Sequence, residues 1–308
     1  RSCFYCPLSQ ERKGRDLVFA DETRVEEIRE ILDEGRAIEA LGTGITGGEP
    51  LAKLDYVLKC IRALKAAFGR EHHIHLYTGM LPDKETLQRL REAGLDEIRF
   101  HPPLEEWSSP GPLTETLREA RSLGLLAGVE IPAVKEAPAI VQAVKDADAF
   151  LNINELEFSE TNYAALAAEG FMPVELGCAA LGSEETARRH FLKEDIRAHY
   201  CPSRFKDAVQ LRERLLRRAR RNARPFDCIS QEGTIIHGTI DGDAALVLPI
   251  LEDLGVPEQM YCLRKGGIDI AAAILEDIAE ELKEIDCDLC LVERYPLPDG
   301  IVVERIHL

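Results

Sequence analysis

Along the first half of the chain, apolar positions recur in two alternating periods. Short apolar runs read as strands, and longer charged segments with apolar residues three or four apart read as helices. Residues 23–35 place Val25, Ile28, Ile31 and Leu32 at helical spacing. The habit repeats over 51–68, 83–93, 113–123 and 138–146, with Gly94 as a stop after the third helix. Between them, 37–46, 73–78, 97–101, 126–132 and 150–158 read as strands. Strands alternating with helices predict a parallel sheet with helices outside it, either a β/α barrel or an open doubly wound sheet.

The rhythm changes after residue 160. A less regular stretch over 170–182 leads into a helix at 183–192, with Ser183 as its N-cap. A long basic helix over 203–224 is ended by Pro225. Then follow a strand at 233–240, a helix at 243–254, a strand at 259–263 and a helix at 268–284. Two strands at 288–294 and 300–307, joined through Tyr295-Pro-Leu-Pro-Asp-Gly, read as a hairpin. The predicted organisation is an α/β domain over 1–200, a basic connecting helix over 201–225 and a small α+β domain over 226–308.

Composition narrows the classes. Hydrophobic residues make up 45% and charged residues 30%, the balance of a folded domain. The net charge of −17 argues against a protein that coats DNA nonspecifically. No run of eighteen apolar residues exists, so no membrane helix is expected, and a cytoplasmic location is. The nine cysteines, an odd number, do not suit a secreted disulfide scaffold. The chain enters directly on Arg1-Ser2-Cys3-Phe4-Tyr5-Cys6, without a signal-peptide pattern, and reads as cut from a longer one.

Two motifs carry chemistry. Cys3 and Cys6 form a CxxC pair, which suits a zinc half-site, a thiol redox pair or part of an iron–sulfur site. A second pair, Cys287 and Cys290, lies on a predicted strand that turns its two thiols to opposite faces. Gly47-Gly48-Glu49-Pro50 closes a predicted strand, where its glycines allow close backbone approach to a ligand and Glu49 offers an acceptor. Further polar residues at strand ends are Thr78, Arg99, His101, Glu130, Asn152, Asn154, Glu155 and Glu157. In α/β folds the active site forms at those ends.

In that order, the two motifs resemble the radical SAM superfamily, whose members carry CxxxCxΦC, with Φ aromatic, and a Gly-Gly-Glu-Pro motif after the second strand. Cys3 and Cys6, with Tyr5 as Φ, match the last two cysteines, and Gly47 to Pro50 match the second motif residue for residue. The first cysteine, and the first strand with it, would precede Arg1. The segments CFYCPLS, GTGITGGEP, DEIRFHP and NINELEFSETN further resemble an archaeal-type group related to pyruvate formate-lyase activating enzymes.

The resemblance implies a partial (β/α)6 TIM-like barrel followed by the small α+β domain. It implies an oxygen-sensitive [4Fe–4S] cluster on Cys3 and Cys6, with S-adenosylmethionine (SAM) held by Gly47, Gly48 and Glu49. Tyr5, Thr78, Arg99, His101 and Glu130 are candidate cofactor contacts. Reductive cleavage of SAM to a 5′-deoxyadenosyl radical would abstract hydrogen from a small-molecule or polypeptide substrate. A ferredoxin- or flavodoxin-like protein would donate the electron.

Other readings stay open at this point. The basic helix holds nine arginines and lysines against Asp207 and Glu213, so RNA is a possible partner, though the helix brings no aromatic ladder. Cys178, Cys201 and Cys228 could hold an auxiliary cluster, while Cys60 and Cys262 read as core. A non-catalytic metal- or RNA-binding module is the competing reading of the whole chain.

Overall fold

The computed structural model describes residues 3–192, 195–297 and 300–308. The chain divides into two compact units, one formed by 1–35 with 40–207 and the other by 36–39 with 208–308. The first opens with an antiparallel ribbon of β1 (Val18–Ala20) and β2 (Thr23–Val25), turned at Asp21 in the left-handed region. The predicted helix therefore starts late. The β-branched Thr23 and Val25 pair with β1, and α1 runs over Ile28–Ala37. The Glu30 carboxylate accepts from the amides of Glu26 and Glu27 and fixes that start.

Six parallel strands then lie side by side in chain order: β3 (Gly42–Ile45), β4 (His73–Thr78), β5 (Glu97–Phe100), β6 (Leu126–Pro132), β7 (Phe150–Asn154) and β8 (Arg197–Cys201). The apolar pattern gives five. The sixth, β8, was missed because Arg197, His199 and Cys201 interrupt any apolar run. Helices α2 (Leu54–Phe68), α3 (Lys84–Ala93), α4 (Gly111–Ser122) and α5 (Pro138–Asp146) connect the strands as predicted. Asp83 caps α3 by accepting from the Thr86 amide, and Gly94 stops it in the left-handed conformation.

One sheet face carries the core. Ile74, Leu76, Ile98, Phe100, Ala127, Val129, Ile131, Leu151 and Ile153 are almost fully buried against apolar residues of α2 to α5. Period two turns the intervening residues the other way, and these are polar: His75 and Tyr77, Glu97 and Arg99, Glu130, Asn152 and Asn154. Gly128 occupies the position on that face where a Cβ would lie 2.3 Å from the Phe150 ring.

Beyond β7 come α6 (Tyr163–Ala168), which the pattern did not show, and α7 (Ser183–His190). Ser183 is not the N-cap of α7; Gly182 is. The Ser183 hydroxyl instead accepts from the Leu156 amide at 2.8 Å and donates to the Ala133 carbonyl at 3.2 Å, inside the protein. The basic helix forms without a break over 203–222, as expected, but its pitch is not uniform. It is built from α8 (Ser203–Phe205), a π-helical segment over Lys206–Leu211 and α9 (Arg212–Asn222).

The second unit is an antiparallel sheet of β11 (Tyr261–Arg264), β12 (Gly267–Ile270), β10 (Ile235–Asp241), β13 (Asp288–Arg294) and β14 (Val302–His307), with β9 (Cys228–Ile229) pairing to β10. Its core joins α10 (Ala244–Asp253) and α11 (Ala272–Ile278) to Ile240, Ile268, Ile270 and Leu289. The predicted helix over 268–284 shortens to α11, because Ile268 and Ile270 belong to a strand. Gly266 turns the β11–β12 hairpin with a positive φ, and a Cβ on Gly267 would lie 2.0 Å from the Ile240 carbonyl oxygen. The β13–β14 hairpin forms as predicted, and residues 298–299 of its connection lie outside the described residues.

Candidate active site

The polar sheet face converges on one carboxylate. Glu130 on β6 is buried, and its carboxylate takes four hydrogen bonds from donors on β4, β5 and β7. Tyr77 and Asn154 donate to Oε1 at 2.7 and 2.8 Å, and Arg99 and Asn152 donate to Oε2 at 2.9 and 3.1 Å. Burial pushes the Glu130 carboxyl up, but Asn154, Tyr77, Asn152 and the Arg99 charge outweigh it and hold the group below the ordinary glutamate range. Arg99 also donates to Glu97 and, at 2.8 Å, to the Tyr77 hydroxyl. Beside them, burial and the Arg99 charge push the His75 imidazole down to about 4.

Above this floor, the Cys3–Cys6 loop is held by its aromatic residue. Tyr5 is buried, and its hydroxyl lies 2.9 Å from His101 Nε2. His101 Nδ1 lies 2.7 Å from the Glu130 carbonyl, which can only accept. The proton is therefore assigned to Nδ1, and in the neutral ring Nε2 accepts from Tyr5. The Tyr5 carbonyl in turn accepts from the fully buried Asn162 at 3.1 Å, and the same amide donates to the Glu157 carbonyl at 2.9 Å. Burial and the adjacent Cys3 raise the Tyr5 phenol far above its usual value, so it remains a donor.

The strand-end turn after β3 faces the same space. Glu49 caps the short 3-10 helix Pro50–Lys53. Its Oε1 accepts from the Leu51 amide at 3.1 Å and from Thr78 Oγ1 at 2.7 Å, and its Oε2 accepts from the Gly79 amide at 2.9 Å. A carboxylate offers about four lone-pair positions, so Oε2 keeps one for a further donor. Gly47 has a φ of 125°, which favours glycine, and a Cβ at Gly48 would meet nothing within 4 Å. Protein packing thus gives no reason for glycine at 48, whereas a bound ligand would.

Cys3, Tyr5, Cys6, Gly47, Gly48, Glu49, Thr78 and His101 all line one cavity of about 510 Å³. Tyr77, Asn154, Glu155 and Glu157 line it too, as do Arg12, Lys13, Arg15 and Lys206. Arg99 and Glu130 do not; they lie beneath Tyr77, in the network that holds it. Pattern reading missed Tyr77, although it alternates with Thr78 on a recognised strand. It also missed Asn162, the last residue of the NINELEFSETN segment, and Lys206, which lies in the basic helix and pairs with Glu157 at 2.9 Å.

Residues 1–123 match the family described as the radical SAM superfamily. A Methanocaldococcus jannaschii protein with the provisional name glycyl-radical enzyme activating enzyme is 38% identical over 330 aligned positions, covering 100% of this chain and 86% of that one. The chain belongs to the radical SAM superfamily. It is accordingly an enzyme, and membership implies a [4Fe–4S] cluster and SAM. A PqqA peptide cyclase from Granulibacter bethesdensis is 33% identical over 101 residues, 32% of this chain and 24% of that one. Residues 233–308 match a second family, described as "Domain of unknown function (DUF8061)".

The donor set fits the radical SAM cofactors: two half-exposed thiols, an open glycine turn and a carboxylate with a spare acceptor position share the cavity. Elsewhere, several cations of the basic segment are engaged within the protein. Arg218 is buried, Arg217 Nε donates to the Ile38 carbonyl at 2.7 Å, and Arg224 pairs with Asp227 and Asp269 at 2.8 and 2.6 Å. No helix among the described residues is long and apolar enough to cross a membrane.

Proposed function

We propose that the protein is a cytoplasmic radical SAM activating enzyme that abstracts a hydrogen atom from a polypeptide, of the glycyl-radical enzyme class named for its M. jannaschii relative. When bound, the cluster and SAM supply, on one-electron reduction by a ferredoxin- or flavodoxin-class donor, a 5′-deoxyadenosyl radical that takes this hydrogen. Cys3 and Cys6 supply two of the cluster's thiolates. Gly47 and Gly48 would admit the methionine part of SAM, and Glu49 would be an acceptor for its ammonium. His101 and Asn162 hold the Tyr5 loop in position, and the Glu130 network fixes Tyr77 at the cavity floor. The six strands and their helices act as a partial (β/α)6 barrel that keeps water from the reacting centre.

One observation carries this reading: the two thiols and the Gly-Gly-Glu turn, more than 40 residues apart in sequence, line the same cavity. The test is anaerobic reconstitution of the protein with iron and sulfide, followed by reduction and measurement of methionine and 5′-deoxyadenosine. Cleavage of SAM that is lost in Cys6→Ala and reduced in Glu49→Gln is expected. An iron-loaded, reduced protein that leaves SAM intact would defeat the proposal.

A further inference from the structure

In the second unit, three metal-ligating side chains meet on one sheet face. Asp288 and Cys290 are two residues apart on β13 and so point to the same side. His307 on β14 is the direct register partner of Cys290. Cys290 Sγ lies 3.3 Å from His307 Nδ1, His307 Nδ1 lies 3.0 Å from Asp288 Oδ1, and Cys290 Sγ lies 3.6 Å from Asp288 Oδ2.

Two simpler arrangements are distinguishable from this one. In a Cys–His–Asp relay, the thiol and the carboxylate occupy opposite nitrogens of the ring. Here both approach Nδ1, which cannot pass a proton between them. An inert buried cysteine would be surrounded by apolar groups, yet Cys290, itself fully buried, faces an imidazole and a carboxylate that are both more than half exposed. The distances instead suit three ligands around one ion. Bonds of about 2.3 Å to sulfur and 2.0 Å to nitrogen and oxygen at tetrahedral angles place ligands roughly 3.3–3.5 Å apart, and here one ligand atom from each side chain lies within 4.8 Å of the other two.

We propose that Asp288, Cys290 and His307 form a binding site for a divalent transition metal of the zinc class, with three protein ligands and a fourth position open to solvent. Thiolate, imidazole and carboxylate together favour such an ion over magnesium or calcium. Cys287 is not among the ligands, because its Sγ faces the Leu282 carbonyl at 3.8 Å. The site would fasten the edge strand β14 to the sheet and leave one coordination position for an exogenous ligand. It is independent of the SAM-cleavage reading.

The probe is Co²⁺ under reducing, anaerobic conditions, with the Cys3→Ser/Cys6→Ser double variant as the reference so that the cavity thiols cannot contribute. The reference should bind one Co²⁺ with a thiolate-to-metal charge-transfer band, and Zn²⁺ should displace it stoichiometrically. Adding Cys290→Ser should abolish the band and weaken binding by about 100-fold or more. His307→Ala, at an exposed position, should weaken binding by at least about 10-fold. It decides the matter if Cys290→Ser fails to fold. A band and affinity unchanged by both substitutions, or absence of Co²⁺ binding in the reference, would overturn the proposal.

Discussion

Glu130 is the most consequential single position in the first unit, and Glu130→Gln isolates why. The substitution keeps size and shape but replaces one carboxylate oxygen with an amide that can only donate. Each oxygen now accepts two hydrogen bonds, from Tyr77 and Asn154 or from Arg99 and Asn152. Two of the four donors therefore face another donor, and Arg99 loses one of its two carboxylates. At about 1–3 kcal/mol per unsatisfied buried group, tempered by rotation of the asparagine amides, the expected loss is about 3 kcal/mol. For a unit of this size that lowers the melting temperature by about 6–12 °C. Glu130→Ala, which strands the buried arginine further, should cost about 3–5 kcal/mol. Trp107, the single tryptophan of the chain, is buried in the same core, so its fluorescence reports unfolding of this unit. The substitution should also alter the acid limb. A carboxyl held below its ordinary value near 4.5 stabilises the fold above that pH and loses this contribution as pH falls through the lower, folded value. The variant should lack that segment of the pH profile. Stability within about 0.5 kcal/mol of the parent at neutral pH would refute the view that this carboxylate organises the sheet face.

His75 titrates in a different window. Its folded value near 4, against an ordinary 6.5, means that the unfolded chain takes up the proton first. Stability should fall by up to about 1.4 kcal/mol per pH unit between those values as pH drops, and His75→Gln should flatten that slope in urea titrations. Asn162→Ala removes bonds to the Tyr5 and Glu157 carbonyls and from the Ser159 amide. It should cost about 3 kcal/mol and lower the iron content of reconstituted protein, read by metal analysis. Gly48→Ala meets no protein atom, so its melting temperature should match the parent while SAM affinity drops at least about 10-fold by calorimetry. Equal affinity would remove the ligand explanation for that glycine.

Much of the fold was legible because the first unit obeys simple periods. Strand β6 and helix α5 fall where alternation and helical spacing put them, since each meets the core with one apolar face. The errors arise where tertiary contacts override local pattern. Thr23 to Val25 joined a ribbon rather than a helix, and Ile268 joined a hairpin made possible by Gly266 and Gly267. Strand β8 escaped because it lies at the sheet edge and turns only Ala198 and Tyr200 to the core, while the polar Arg197 and His199 between them break up any apolar run. The same polarity marks the candidate site. Arg99, His101 and Glu130 stood out as misfits for a buried strand, and they belong to one connected network. Tyr77 and Asn162 did not stand out, because an aromatic residue in a strand and an asparagine before a helix are ordinary until their partners are seen.

The anchoring of the cysteine loop also sets an order of events in time. Each strand of the parallel sheet pairs with its predecessor in the chain, so the sheet can assemble stepwise as the chain is made. The Tyr5 carbonyl, however, is bound by a residue 157 positions downstream. The loop bearing Cys3 and Cys6 therefore cannot settle until β7 and the turn after it have formed. Although this segment leaves the ribosome ahead of the sheet, it is among the last parts of its unit to become ordered. Its thiols remain unprotected until that downstream segment has been made, and stable metal loading must follow folding of the unit rather than guide it.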